Sequence, residues 1–586
     1  MKTKLLLFDP GLIRLTFSAR ALVGLVLAGV ICWILSNRFG LGISGVLLGV
    51  VAAQFTLLLA RQPSRNQRIV TSILMIPGYW LGLILMYFAS RHSLLQVFSL
   101  PLLIGLGFWS QQTRPNLSVV IMAMAWICLF AVYFHVQQGP LLWHLAAIVI
   151  SVSIMMAVRF VLWRDDRPTP RSLILRSHQL ILIDAAKRAV ESNHIADVIG
   201  KAHRSLEPVV RSLAHHPHFN ANERSTLANQ RLAVEIELLQ SPKQGTDIAR
   251  ALQDNPFASE KQLSPQLDQL TKNWDSFPEE PTQSRQNTHS PASKSARRAL
   301  QVSTAVALAA FVGYLISPER WPWAVIVAMF MFFGTESSGR LLSKGIQNVA
   351  GVVLGLLLGV LLSQLLSSLW WCELAALLVM LFLAFYLIPV IYALGMAAVT
   401  ALIALAFSLG GNDVSALLVI RLEEVLVGAS FGVAAGLLLM PERGSSGIRQ
   451  ASANFLAGVA NALDPDAEGP STHTLRNDLG EVYKSAEFGP IESLFVDGSR
   501  MRAALIELAR IQHLVAFQQE WSKQSPSRID PDRFRQLAEQ CRTVAAHVLD
   551  QRQASPDPIV WPADSSPQGR ILAAIGASLA AISSLG

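Results

Sequence analysis

The chain has 586 residues, of which 52% are hydrophobic and only 15% charged, too few polar residues to cover a soluble protein of that length. Its formal net charge of +8 does not indicate a nucleic-acid partner, because the Lys and Arg residues lie mostly in short loops beside apolar segments, as membrane topology produces. The four cysteines have no CxxC spacing and no His partner, so neither a disulfide framework nor a zinc site is indicated. We expect neither a cofactor nor an enzymatic activity.

Residues 1–167 form a first hydrophobic block. The N-terminus MKTKLLLFDPG has too short an apolar run for a cleavable signal, so we expect it to be retained in the cytoplasm. A transmembrane helix needs about 20 mainly apolar residues. The basic residues alternate between successive turns, which places both ends of the block on the cytoplasmic side. The predicted helices are 20–36, 41–60, 69–89, 94–110, 117–136 and 141–163.

A second hydrophobic block covers residues 297–441. It contains an uncharged stretch from Leu374 to Leu409, which we divide at Pro389 into two helices because proline interrupts a helix. Arg443 and Arg449, directly after the block, favour an even number of crossings. The predicted helices are 299–317, 322–335, 345–368, 374–389, 391–409 and 416–440.

The remaining segments have a different composition. Residues 168–254 and 442–586 carry frequent charges with apolar residues at helical spacing, which predicts cytoplasmic helical domains. Residues 255–296 are rich in Pro, Ser, Gln and Thr and are predicted to be a disordered linker. The apolar end 571–586 is too short for a further crossing, and we expect it to pack or to lie at an interface. The fold class predicted is therefore all-α: a polytopic membrane protein with two six-helix transmembrane bundles and cytoplasmic helical domains.

The two blocks resemble an internal repeat. Each has a basic turn after its second helix and glycines four residues apart in its third helix region. Same-direction duplication is a common construction of transporters, whose substrate sites lie between the repeats. Glycines at this spacing allow two helix backbones to approach closely, which predicts helix packing for Gly351, Gly355, Gly359, Gly428, Gly432 and Gly436. Alternatively, the smooth faces at the last three let helices slide or leave room for a ligand.

The segment VIRLEEVLVG at the start of the last helix of block two carries charges inside an apolar region. Such residues are costly in a bilayer, so they are candidates for a functional site. Arg421 and Glu424 share a helix face, whereas Glu423 points elsewhere. One interpretation is a structural ion pair at the outer interface. The other is that Arg421 binds an anionic substrate, because guanidinium matches carboxylate in two hydrogen bonds, while Glu424 or Glu423 exchanges protons.

Glu336, Arg340 and Lys344 form a second charged cluster in the basic turn of block two. Ordinary positive-inside topology accounts for such a cluster. Alternatively, Arg340 and Lys344 collect anionic substrate at a cytoplasmic entrance, with Glu336 as an ion-pair or proton-coupling partner.

Three other features suggest no site. GTESSGRL has the glycine spacing of a phosphate loop but Arg-Leu in place of the required Lys-Ser/Thr. The HHPH cluster at 215–218 has no Cys or acidic partner at ligand spacing. The tryptophans at the outer helix ends (Trp321, Trp323, Trp370 and Trp371) fit an interfacial aromatic belt.

The stretch from Arg297 to Arg443, with its WPW helix start, basic turn, glycine-rich third helix and the Arg-plus-acid start VIRLEEVLVG, resembles the fusaric acid resistance protein family, which includes p-hydroxybenzoate exporter subunits. Phe17 to Asp166 resembles the family more loosely. Arg340, Arg421 and Glu424 occupy charged positions that recur in the family. Block one departs from the pattern, since its sixth helix has neither glycines nor a midspan Arg-acid pair.

The resemblance implies a bacterial inner-membrane exporter of aromatic or other small organic acids, driven by an ion gradient. The distribution of basic residues predicts that both termini are cytoplasmic. The resemblance also implies homodimers, and a periplasmic adaptor and an outer-membrane channel as partners. Two other functions stay open: an organic-anion channel, and a membrane scaffold for envelope assembly that transports nothing.

Overall fold

The architecture described here is that of a computed structural model of the full chain. It describes residues 6–60, 62, 64–89, 93–134, 136, 139–163, 170–191, 242–255, 291–318, 321–333, 338–366, 369–410, 414–439, 444–467, 472–485, 531–550 and 567–585, with isolated positions between 198 and 238 and between 503 and 518. These residues form helices and connecting turns and contain no strand, so the all-α prediction is confirmed.

All six helices predicted in block one are present. Pro77 and Pro101 lie inside two of them without ending them. The sixth continues as one π-helical turn, Val158–Leu162. The helices are α1 Ile13–Phe39, α2 Ser44–Leu59, α3 Arg65–Ala89, α4 Ser93–Thr113, α5 Pro115–Tyr133 and α6 Leu141–Ala157.

Block two also has its six predicted helices. The division at Pro389 is confirmed, because one helix ends at Leu387 and the next begins at Tyr392. The first helix begins at Pro291, so the last residues of the predicted linker are helical. The helices are α9 Pro291–Ile316, α10 Pro322–Phe332, α11 Ser338–Leu366, α12 Trp370–Leu387, α13 Tyr392–Leu409 and α14 Val414–Leu438.

Eight helices of the described part are long and apolar enough to cross a membrane. Large apolar side chains on their outer faces are exposed, among them Phe88, Leu357 and Trp370. A soluble protein buries such faces, whereas a bilayer solvates them. The protein is therefore a multi-pass membrane protein.

The two blocks share one compact unit, residues 14–167 and 287–442, with a common apolar core. Their helix pairs correspond: α3 packs on α5 as α11 packs on α13, and α2 packs on α6 as α10 packs on α14. A close seam between α4 and α9 joins the blocks. There Ser303 donates a hydrogen bond to the carbonyl of Pro101, and a side chain at Gly105 would overlap Ser303. The repeated pairing fits the internal repeat predicted from the sequence.

The second compact unit combines residues 1–13, 168–286 and 443–586. One apolar core joins its segments, with Leu182, Leu252, Phe455 and Ile575 all buried. The packing role predicted for the C-terminal apolar end is confirmed, because Ile575 lies in that core. The domain boundaries stay predictions. The described helices are α7 Arg171–Glu191, α8 Gly245–Asp254, α15 Gly444–Leu463, α16 Thr472–Ser485, α17 Pro531–Leu549 and α18 Pro567–Leu585.

Candidate functional site

Arg421 and Glu424 lie one turn apart on α14 and form a buried ion pair. Arg421 Nη1 is 3.6 Å from Glu424 Oε2, and the two side chains are only 7% and 4% exposed. A charge removed from water is costly unless a partner compensates it. Within the described residues, neither Nε nor Nη1 of Arg421 has a hydrogen-bond acceptor, although both atoms are buried. The guanidinium therefore keeps unused donors inside the bundle.

The guanidinium lies against an aromatic wall built by both blocks. Its carbon atom lies 4.1 Å from the ring centre of Trp323 on α10, within the range of a cation–π contact. Trp323 in turn contacts Tyr133 and Phe130 of α5, with ring centres 5.1 and 6.2 Å apart. An Arg side chain over an aromatic ring can still direct its N–H donors to a planar anion.

The aromatic wall continues along the interface between α5 and α10, towards the C-terminal end of α10. Trp126 lies 5.3 Å from Phe330 between ring centres, and Phe330 lies 5.9 Å from Phe333 at the other end of α10. Aromatic side chains therefore extend from the position of Arg421 to the inner end of α10, that is, its C-terminal end at Phe333.

A second cationic group lies at that inner end. Lys344 donates hydrogen bonds to the carbonyls of Phe330 and Phe333, and Arg298 donates to the carbonyl of Phe332 and lies over its ring. The last carbonyls of a helix have no partner within the helix and carry partial negative charge. The two cations thus cap α10 and hold positive charge at the inner end of the interface.

The other charged candidates do not join this arrangement. Glu423 is exposed on the opposite face of α14, so only Glu424 pairs with Arg421. Arg340 lies in the first turn of α11, but the position of its side chain falls outside the description. Glu336 and the HHPH cluster also lie outside the described residues.

The six candidate glycines all lie at close helix contacts. A side chain at Gly351, Gly355 or Gly359 would overlap α13, and one at Gly428 or Gly432 would overlap α10. At Gly436 it would overlap Leu341 of α11. Because α14 approaches α10 so closely at Gly428, the ring of Trp323 reaches the guanidinium two turns earlier.

Sequence reasoning missed several contributors. Trp323 was attributed to an aromatic belt, but it supports Arg421. Trp321 is only 1% exposed, so the belt interpretation is wrong for it, whereas Trp370 and Trp371 are exposed. The contribution of α5 has no local signal, because Tyr133 meets Trp323 only through the packing of block one on block two.

Block one has a different polar group at the corresponding helix pair. His144 of α6 is buried and its Nε2 lies 2.8 Å from Ser44 Oγ of α2. Block one has a His–Ser hydrogen bond at this helix pair in place of the ion pair on α14. The two blocks therefore differ in their polar side chains where their folds correspond.

Comparison with known proteins agrees with the resemblance of block two. The sequence model of the fusaric acid resistance protein-like family matches residues 306–435, which run from within α9 to near the end of α14 and include the ion pair. No curated protein and no solved structure matches the chain. The family consists of membrane transporters, which fits a chain whose candidate site contains a buried charge pair. Residues 306–435 are thus similar to the fusaric acid resistance protein-like family, and the chain is a multi-pass membrane protein.

Proposed function

We propose that this protein exports small organic anions, aromatic carboxylic acids among them, across the bacterial inner membrane under an ion gradient. The observation that carries the proposal is the Arg421–Glu424 pair against Trp323. A guanidinium with buried unused donors binds a carboxylate in two hydrogen bonds, and the ring of an aromatic acid can pack against Trp323 and Tyr133.

Glu424 provides the coupling in this proposal. While Glu424 is ionised, the anion binds the unused donors of Arg421, and after the anion has left, Glu424 takes up a proton from the side where the anion was released. On the other side of the membrane, loss of this proton restores the ion pair, and the site accepts the next anion. Proton entry and anion exit are therefore linked at one guanidinium.

The chain segments that form the second compact unit support an orientation of the protein in the membrane. The segment after block one and the segment after block two contribute to a single core, which supports the proposal that both lie on the same side of the membrane. Block two then crosses an even number of times, as its six helices allow. Because Lys and Arg residues accumulate on the cytoplasmic side, we propose that this side is the cytoplasm and that both termini lie there.

Lys344 and Arg298 would then face the cytoplasm and attract anions to the inner end of the interface. A homodimer, and a periplasmic adaptor with an outer-membrane channel, belong to the same proposal as partners.

Efflux from intact cells tests the proposal. Cells that produce the protein are loaded with radiolabelled 4-hydroxybenzoate, and its loss is followed for the wild type, Arg421→Ala and Glu423→Gln. We expect Arg421→Ala to slow efflux to the rate of cells without the protein, and the exposed Glu423→Gln control to leave it unchanged. Normal efflux in a correctly inserted Arg421→Ala variant would rule out the proposed role of this residue.

An anion channel is the second candidate, and the same cationic groups favour it. Planar-bilayer recording separates the two, because a channel carries anion current without a proton gradient. A scaffold would retain its function in Arg421→Ala and lose it when α18 is deleted.

A further inference from the structure

Asn348 on α11 is fully buried, and among the described residues neither its amide nitrogen nor its amide oxygen has a hydrogen-bond partner. An unsatisfied amide in an apolar interior opposes folding, and native proteins contain few such groups. Inside a membrane domain, a polar side chain of this kind is by default a candidate for a substrate path.

Two other polar groups surround the same place. Lys344 lies one helical turn before Asn348, on the same face of α11. Its ammonium nitrogen is 5.1 Å from the ring centre of Tyr392, the first residue of α13. The hydroxyl of Tyr392 is also buried without a hydrogen-bond partner in the described part of the chain. A cation, an amide and a phenol therefore lie at one level of the bundle.

The packing of α11 locates this group relative to Arg421. Gly345 lies against Val433 of α14. Val433 is twelve residues after Arg421, which corresponds to about 18 Å along the axis of α14. Since α11 and α14 are antiparallel, Asn348 lies about 4.5 Å closer to the level of Arg421. An anion that moves between the inner end of block two and Arg421 passes the level of Asn348 on the way.

We propose that Lys344, Asn348 and Tyr392 form an inner subsite that holds the carboxylate of the substrate before it reaches Arg421; this rests on the proposed export function. The Nδ2 of Asn348 and the hydroxyl of Tyr392 donate hydrogen bonds to the carboxylate oxygens. Lys344 supplies the charge without leaving the carbonyls of α10. Hydrogen bonds to an ionised acceptor are stronger than those between neutral groups, so the subsite selects the ionised acid over its amide.

The test uses the full chain in proteoliposomes and initial rates of 4-hydroxybenzoate uptake at increasing concentration. Asn348→Leu is compared with Gln347→Leu, a matched control that removes an exposed amide from the preceding position of the same helix. Tyr392→Phe removes only one hydroxyl. It provides the test of the subsite if the Asn348→Leu variant does not insert into the membrane.

We expect Asn348→Leu to raise KM about tenfold and Tyr392→Phe to raise it about threefold, with Gln347→Leu unchanged. Inhibition by 4-hydroxybenzoate relative to 4-hydroxybenzamide should decrease in both site variants. A KM at the wild-type value in a variant whose maximal rate or thermal stability has changed would assign these residues a structural role and overturn the subsite. If the wild type itself does not transport the acid, the proposed function fails first.

Discussion

The Arg421–Glu424 pair predicts a specific pattern of stability in single and double variants. Both side chains are less than 10% exposed, and removing one partner of a buried pair costs about 3–5 kcal/mol because the other charge is left uncompensated. Arg421→Met also loses the contact with Trp323, about 1–2 kcal/mol. Each single variant should therefore be markedly destabilised. The double variant, Arg421→Met with Glu424→Gln, buries no charge and should recover most of the stability.

The assay is unfolding of the purified full chain in detergent, combined with the efflux measurement on the same variants. From the cost of a lone buried charge, we expect a coupling free energy of about 3 kcal/mol between the two positions. Glu423→Gln, one residue away and exposed, should change neither the stability nor the efflux rate. The double variant should be stable but inactive. A coupling near zero would refute the buried pair, and a double variant that restored both stability and efflux would reduce the pair to a structural element.

Three further predictions concern the fold. Gly355→Val should destabilise the membrane unit by about 1–3 kcal/mol by forcing α11 away from Ala397, measured by thermal unfolding; a stability equal to wild type would contradict the close contact. Phe455→Ala, in the core of the second unit, should lose about 3–5 kcal/mol and expose α15 to limited proteolysis, and unchanged resistance to protease would argue against the shared core. Burial, with a smaller contribution from Glu481, raises the pKa of Asp478 to about 6, so the folded state holds this proton more tightly than the unfolded chain. Stability should decrease as the pH rises from about 4 to about 6, and Asp478→Asn should remove that decrease; melting curves that keep the same pH dependence would exclude Asp478 as its source.

Most of the helices follow from the sequence because a membrane imposes a simple rule. Twenty apolar residues between charged turns form a helix, since only helices and closed barrels satisfy the backbone in lipid. Pro389 ended α12 as predicted, whereas Pro77 and Pro101 lie inside α3 and α4. Proline alone does not distinguish a break from a tolerated position, because packing against neighbouring helices decides between them.

The site was only partly predictable, because packing between helices also determines which side chains surround Arg421. Helical spacing alone places Arg421 and Glu424 on one face, and the structure shows them together. Trp323, Tyr133 and Asn348 carry no local signal, because what sets them apart is the surroundings that other helices create. The sequence could likewise not predict that the soluble segments share one core, since periodicity identifies an apolar face but not the helix it packs against.

Transport into proteoliposomes against the passive distribution of a weak acid tests the central claim most directly. The lumen is held at pH 6 and the outside at pH 7.5, and uptake of 4-hydroxybenzoate is measured with the wild type and with Arg421→Met plus Glu424→Gln. Passive weak acids avoid an acidic lumen, so proton-coupled export predicts accumulation there with the wild type and none with the double variant. Wild-type uptake that ignored the pH gradient, or that persisted in the double variant, would contradict proton-coupled export through this ion pair.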